Sequence, residues 1–186
     1  TTQVPAVGGI ASFVDNVGSS TIYGAEFEGR LFLTDNLRAN FALGYLKAEF
    51  DEFQRFNLTT QVFENIADLV VLQNAPEFTG YFGLTYDMPL AGGDLAITPS
   101  VSYRDSYSLF EFPNPLLDQD GYALVDLSAV WTAPNGKYTL GVYGKNLTDE
   151  EYRVGGYTFP GALFNDSQIG YYGPPRTVTA SIKVSF

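Results

Sequence analysis

The chain has 186 residues, no Cys, no His, and a formal charge of −11 from 21 acidic and 10 basic side chains. Without His or Cys it builds no Ser-His-Asp triad, Cys-His pair, thiolate zinc site or imidazole haem ligand. Its acidity, with a pI near 4.2, repels a phosphate backbone, so nucleic acid is not an expected partner.

The length suits about one domain. Its 15 Phe, 13 Tyr and 19 Gly are the unusual part of the composition. Residue 1 is Thr, and no basic segment followed by an apolar one comes after it. That pattern fits a chain whose leader was removed, or a piece of a longer protein. The most apolar stretch, residues 66–72, is short and contains Asp68, so a membrane-spanning helix is not expected. A membrane-spanning β-barrel is compatible, because its strands alternate and average to near-zero hydropathy.

Period 2 runs through the chain, which is the signature of two-faced strands. A weak strand is predicted over residues 9–15. Over residues 21–34, Ala25, Phe27, Gly29, Leu31 and Leu33 alternate with Gly24, Glu26, Glu28, Arg30 and Phe32. Phe41, Leu43 and Tyr45 mark the next strand. Phe82, Leu84, Tyr86 and Met88 follow, and then Leu95, Ile97, Val101 and Tyr103. Val125, Leu127, Ala129 and Trp131 define another strand, and Tyr138, Leu140 and Val142 the one after it. The cleanest is the last, where Val178, Ala180, Ile182, Val184 and Phe186 alternate with Thr177, Thr179, Ser181, Lys183 and Ser185. About eight strands result.

The connections alternate in length. Short turns fall at Asp35-Asn36, at residues 90–93 and at Asn135-Gly136. Long links occupy residues 51–75, 106–119 and 149–173. Short and long connections therefore lie at opposite ends of an up-and-down meander, as in outer-membrane barrels and unlike a Greek-key sandwich. Tyr45, Tyr86, Tyr103, Tyr107, Tyr122, Tyr138 and Tyr152 fall at predicted strand ends, where a bilayer interface selects amphipathic rings. The same rings also suit the strand ends of a soluble β protein.

The residues GVYGKNLTDEEY at 141–152 resemble the TonB-dependent outer-membrane receptors, with Asn146, Leu147, Asp149 and Tyr152 matching that family's penultimate-strand segment. The final PPRTVTASIKVSF is similar to the family's last strand. Residues 23–50 resemble a hairpin with a Gly-x-Glu lead-in at Gly24 and Glu26, and GYALVDLSAVW resembles the strand before the penultimate one. The resemblance spans roughly residues 21–186. It implies the C-terminal part of a 22-stranded barrel, with the plug domain and TonB-contacting segment absent from residues 1–186, which form a single barrel segment.

The implied fold is all-β, an antiparallel up-and-down transmembrane barrel, with eight strands either part of a larger barrel or closing as a small one. The implied function is a share in active transport of a scarce nutrient, such as a ferric siderophore, across the outer membrane of a Gram-negative bacterium. No enzyme activity, metal or cofactor is implied. The partners are outer-membrane lipid, the barrel-assembly machinery and, in the intact receptor, TonB and a small-molecule ligand. The alternatives are a self-contained small outer-membrane barrel with a structural or adhesive role, and a soluble glycan-binding β domain.

Candidate sites follow. Glu26 and Glu28 on one strand face invite a two-carboxylate glycosidase reading, but Arg30 on that face favours a structural lumen network. Residues 117–121 resemble part of a calcium loop and lack its closing Glu, which favours an ordinary turn. Glu150-Glu151 reads as a solvated pair. The long links are better binding candidates through Tyr107, Phe110, Phe112, Tyr157, Phe159, Tyr171 and Tyr172, since exposed loop aromatics suit a large, partly apolar ligand. The competing expectation is that these rings pack the loops together or sit at the lipid interface. The resemblance implies that Phe186, Val184 and Ile182 form an assembly signal.

Overall fold

The computed structural model describes residues 2–5, 12–15, 18–57, 59–159, 161 and 165–185, with only the backbone described for the first two segments. The strands in chain order are β1 (Thr2–Pro5), β2 (Ser12–Asp15), β3 (Gly18–Thr34), β4 (Leu37–Asn57), β5 (Val62–Asn65), β6 (Phe78–Leu90), β7 (Gly93–Arg104), β8 (Tyr122–Thr132), β9 (Tyr138–Lys145), β10 (Arg153–Phe159), β11 (Ser167–Tyr172) and β12 (Thr177–Val184). One 3-10 turn, Ala67–Leu69, lies between β5 and β6.

The main sheet has eight strands in the order β12-β9-β8-β7-β6-β4-β3, with β5 paired to the far part of β4. All its pairings are antiparallel. The eighth strand is β5 rather than the one predicted over residues 9–15. Of that stretch, Ser12–Asp15 pairs with Thr2–Pro5 in a separate ribbon, and residues 9–11 lie outside the described ones. Because β3 and β12 stand at opposite ends of the strand order, the sheet is open and does not close as a small barrel.

The predicted turns sit where expected, between β3 and β4, β6 and β7, and β8 and β9. The long links are more ordered than loops. β4 runs 21 residues and folds back through β5 as a ribbon, while β10 and β11 form a hairpin of their own between β9 and β12.

Register decides which residues share a face. One row across the sheet reads Leu37, Tyr86, Ile97, Ala129, Val142, Ala180, and another reads Met88, Leu95, Trp131, Leu140, Ile182. A third reads Gly29, Phe41, Phe82, Val101, Val125. All three are apolar from strand to strand. The opposite face carries Arg30, whose Nε donates to Asn40 Oδ1 at 2.8 Å. It also carries the Arg38–Asp87 ion pair and the Lys145–Asp126 pair at 2.6 Å.

Between the pairs Gly83↔Ser100 and Tyr86↔Ile97 the β6–β7 ladder lapses for two residues without a change of register. Pro99 sits in the gap and has no amide hydrogen to donate. On the polar face, the Thr85 and Thr98 hydroxyls bridge it at 2.9 Å.

Among the described residues nothing packs on the apolar face. Phe27, Leu43, Phe82, Leu127, Leu140 and Ile182 are all exposed. The buried apolar side chains are few, and Tyr107, Leu109 and Leu117 form a cluster in the layer of long connections.

Candidate functional site

The three long connections do not hang separately. The connection from β7 to β8, residues 105–121, is the middle piece and is bonded to both others. Toward the β4–β6 connection, Val71 N donates to the Glu111 carbonyl at 2.8 Å and Asn74 N to the Ser108 carbonyl at 2.9 Å. The Arg55 guanidinium lies 5.1 Å from the centre of the Phe112 ring.

Toward the β10–β11 hairpin, Tyr107 Oη donates to the Arg153 carbonyl at 2.8 Å. Arg153 N donates to Gln119 Oε1 at 2.7 Å, and an Arg153 guanidinium nitrogen donates to the Asp118 carbonyl at 2.8 Å. Asn114 Nδ2 donates to Gln168 Oε1 at 3.1 Å. Asp118 is thus an organiser of a turn, with Oδ2 accepting from Asn114 N at 2.8 Å. Among the described residues no group of acidic side chains is placed to hold a metal ion.

The base of the hairpin is fixed by a clasp centred on Asn146. This residue is 3% exposed and has a φ of 50°, a left-handed conformation that Asn tolerates well. Its backbone N donates to Asp126 Oδ1 at 2.9 Å. Its side-chain nitrogen donates to the carbonyls of Glu150 at 2.9 Å and Pro174 at 3.2 Å, and its Oδ1 accepts from Glu150 N at 2.8 Å. Both ends of the connection are therefore tied to one side chain. Asp149 adds a bond from Arg176 N at 2.8 Å. Tyr152 stacks on Tyr122 with centroids 4.6 Å apart, and Gly173 passes so close to the Tyr152 ring that a Cβ would overlap it. The residues that carried the family resemblance, Asn146, Asp149 and Tyr152, are thus those that close this connection. The sequence analysis does not assign them this role, although Asn146 and Asp149, two residue types favoured in turns, are a usable signal.

The candidate aromatics separate into groups. Tyr107 is buried, its hydroxyl is bonded, and burial pushes its pKa up to about 12. Phe110 packs against the same cluster. Phe112 is exposed under Arg55.

The hairpin has two unlike faces. On one, Gly156 and Gly170 leave room for Leu117, whose methyl carbons would lie 3.4 Å and 3.8 Å from an added Cβ. On the other, Tyr157 lies 6.2 Å from Phe159 and makes an edge contact with Tyr171 at 5.9 Å. Tyr157 is 57% and Tyr171 49% exposed, with Ile169 paired to Tyr157 between them. Tyr172 is exposed at the hairpin base, on the face of Gly170.

Ile182 and Val184 lie on β12, paired to Leu140 and Tyr138, and are exposed. Phe186 lies outside the described residues. Glu26 and Glu28 sit on β3 opposite Gly44 and Ala42. Beneath the long connections the polar face has two open hollows that share Pro76 and Thr79, one reaching Arg104 and Tyr122 and the other Glu26 and Gly44.

An open antiparallel meander with one bare apolar face, short turns at one end and a bonded layer of long connections at the other is a segment of a large barrel wall. The family model for TonB dependent receptor-like β-barrels matches residues 1–147. The chain belongs to that family, a family of receptors and not of enzymes.

Among solved structures, it is similar to the ferric yersiniabactin uptake receptor FyuA from Yersinia pestis, with 22% identity and a TM-score of 0.72 over 92% of this chain and 24% of that one. It is also similar to the siderophore receptor PiuA from Acinetobacter baumannii, with 17% identity and a TM-score of 0.69 over 91% of this chain and 22% of that one. The chain thus spans about a quarter of the length of these receptors.

Proposed function

We propose that this chain forms the C-terminal part of the barrel wall of an outer-membrane receptor, in a Gram-negative bacterium, that imports a scarce nutrient such as a ferric siderophore. The observation that carries this reading is the bare apolar face, continuous over the strands of the main sheet and bounded by aromatic rings. Toward the long connections it ends in Tyr45, Phe78 and Tyr103, and near the short turns it carries Tyr86, Trp131 and Tyr138. Phe78 and Tyr86 are eight residues apart on β6, about 26 Å at the usual strand rise. With a strand tilt of about 40° that is about 20 Å along the membrane normal, most of the apolar band of an outer-membrane barrel, which is about 25 Å tall.

The apolar face meets outer-membrane lipid and the polar face lines the lumen. The hairpin face of Tyr157, Phe159 and Tyr171, together with Phe112 and Tyr172, contributes to ligand capture, while Tyr107 and Phe110 support it from below. Ile182 and Val184 on the last strand, together with Phe186, are read by the barrel-assembly machinery, and TonB supplies the energy through parts of the receptor other than this wall.

The test is site-directed spin labelling in the full-length receptor reconstituted into liposomes, with single cysteines at positions 127, 140 and 128. Residues 127 and 140 are expected to be accessible to oxygen and shielded from a water-soluble nickel chelate, and 128 the reverse. Equal chelate access at all three would overturn the membrane reading.

A further inference from the structure

Charge is distributed very unevenly in this molecule. The three long connections, residues 51–77, 105–121 and 146–176, hold thirteen acidic and three basic side chains, a net −10 of the chain's −11. The remaining strands and turns are almost balanced. The three basic residues in the layer are engaged. Arg55 lies over Phe112, Arg153 donates to the Asp118 carbonyl, and Arg176 pairs with Asp149 at 3.7 Å. Asp120, Glu150, Glu151 and Asp166 are exposed.

The negative charge is also diffuse. Among the described residues the acids do not converge on a point, as a metal site would require. A field of this kind raises the local concentration of cations and opposes anions before any contact forms. On the β10–β11 hairpin stand two exposed rings, Tyr157 and Tyr171, set edge to face with half-buried Phe159 next to Tyr157, and the hairpin's other face is seated on Leu117. Tyrosine faces attract cations through the ring quadrupole, and they do so more strongly where water is displaced.

We propose that the β10–β11 face takes a ligand of net positive charge that lays a flat or apolar portion on Tyr157 and Tyr171. This rests on the reading that the long connections capture the receptor's ligand, and it narrows that ligand's chemistry. An anionic chelate is disfavoured by the field, and a bare metal ion has no convergent donor set. A neutral ring could stack but would gain nothing from the charge.

Two planar dyes with the same xanthene core separate these cases. Rhodamine 6G is cationic and fluorescein is dianionic, and binding of each to the full-length receptor in a non-ionic detergent is read by fluorescence anisotropy. The comparison runs over the wild type, the Tyr157→Ser/Tyr171→Ser double variant and the Asp120→Asn/Glu150→Gln/Glu151→Gln triple variant. At low salt the wild type is expected to bind rhodamine 6G at least about tenfold more tightly than fluorescein, with the gap shrinking as salt is raised. The triple variant narrows the gap and the tyrosine variant loses rhodamine binding. If fluorescein binds as tightly as rhodamine 6G and depends on the two tyrosines, the charge assignment is overturned while ligand capture by this face stands. An unchanged gap in the triple variant overturns it equally. If neither dye responds to removal of the tyrosines, the face is not a ligand platform, and the reading beneath the proposal falls with it.

Discussion

Asn146 shows how much a single side chain can hold. Its amide donates to two carbonyls and accepts from one amide while the residue itself is almost fully buried, so replacing it leaves several backbone groups without partners. Each such group costs about 1–3 kcal/mol. Asn146→Asp keeps the acceptor and the left-handed tolerance but loses both donations. We expect amide hydrogen exchange to accelerate across residues 147–176 in this variant, with little change in the pairing of β7 and β8. Exchange spread evenly over the sheet would show that Asn146 supports the wall and not the connection.

Tyr107 gives a second prediction at this scale. Burial raises its pKa to about 12, so the folded state holds the proton at a pH where the unfolded chain, ionising near 10, has released it. Its contribution to stability is therefore complete below about pH 10 and is lost as the pH rises toward 12. The difference in absorbance at 295 nm between wild type and Tyr107→Phe should show one late-ionising tyrosine. Ionisation near pH 10 would contradict its burial. Sequence alone could not separate this residue from Tyr157: both are loop tyrosines, and only the tertiary cluster around Leu117 makes one a support and the other a surface.

Among the elements, those with a polar and an apolar parity were legible and those without were not. The strands from β3 to β12 that build the wall alternate cleanly, because one side meets an apolar medium and the other does not. The β10–β11 hairpin alternates over only a few residues, Tyr157 and Phe159 against Gly156 and Thr158. Its seated face is built from Gly156 and Gly170, which have no side chain to mark it, so the segment reads as a loop. The far half of β4 was missed for a similar reason. Beyond Glu49 its partners are β3 at one edge and the short β5 at the other, and its phenylalanines fall on both parities.

The glycines give a test at this scale. An added Cβ at Gly156 would stand 2.7 Å from the Ile169 carbonyl oxygen and 3.4 Å from Leu117. Gly156→Val should therefore tilt the hairpin off its seat, at a cost of about 1–3 kcal/mol for the overpacked contact. Limited proteolysis near residues 160–166 should accelerate several-fold. An unchanged rate would mean that Leu117 can move aside.

For the whole molecule, the decisive contrast is between the two faces of one strand. Leu127 and Leu140 belong to apolar rows, whereas Ser128 faces Thr98 and Tyr143 on the other side. Leu127→Arg and Leu140→Arg should each destabilise the folded receptor in lipid by about 2–4 kcal/mol, with Ser128→Arg much milder. Denaturant titration in liposomes measures this, and equal costs would reverse the facial assignment. Deleting Phe186 in the intact receptor should lower the amount assembled in the outer membrane while refolding of purified protein changes little. Wild-type assembly after that deletion would leave the last strand a packing role only. The overall architecture was legible because alternation and the unequal connections agree. Ligand chemistry was not, because charge and ring exposure acquire meaning only when the three connections come together.

The lapse beside Pro99 has a mechanical consequence. Two rungs are missing between β6 and β7, yet the register above and below is the same, so the strands can splay there without sliding. On its other side β7 stays fully laced to β8 through Pro99↔Leu127. Such a line is a compliant seam, an axis about which a wall flexes under load while its length stays fixed. The two threonine hydroxyls that span it can rotate to follow the movement, which a backbone hydrogen bond cannot do. Bending strain in this wall would therefore gather at one known place, and a load applied to β6 would pass to β7 above and below that place but not through it.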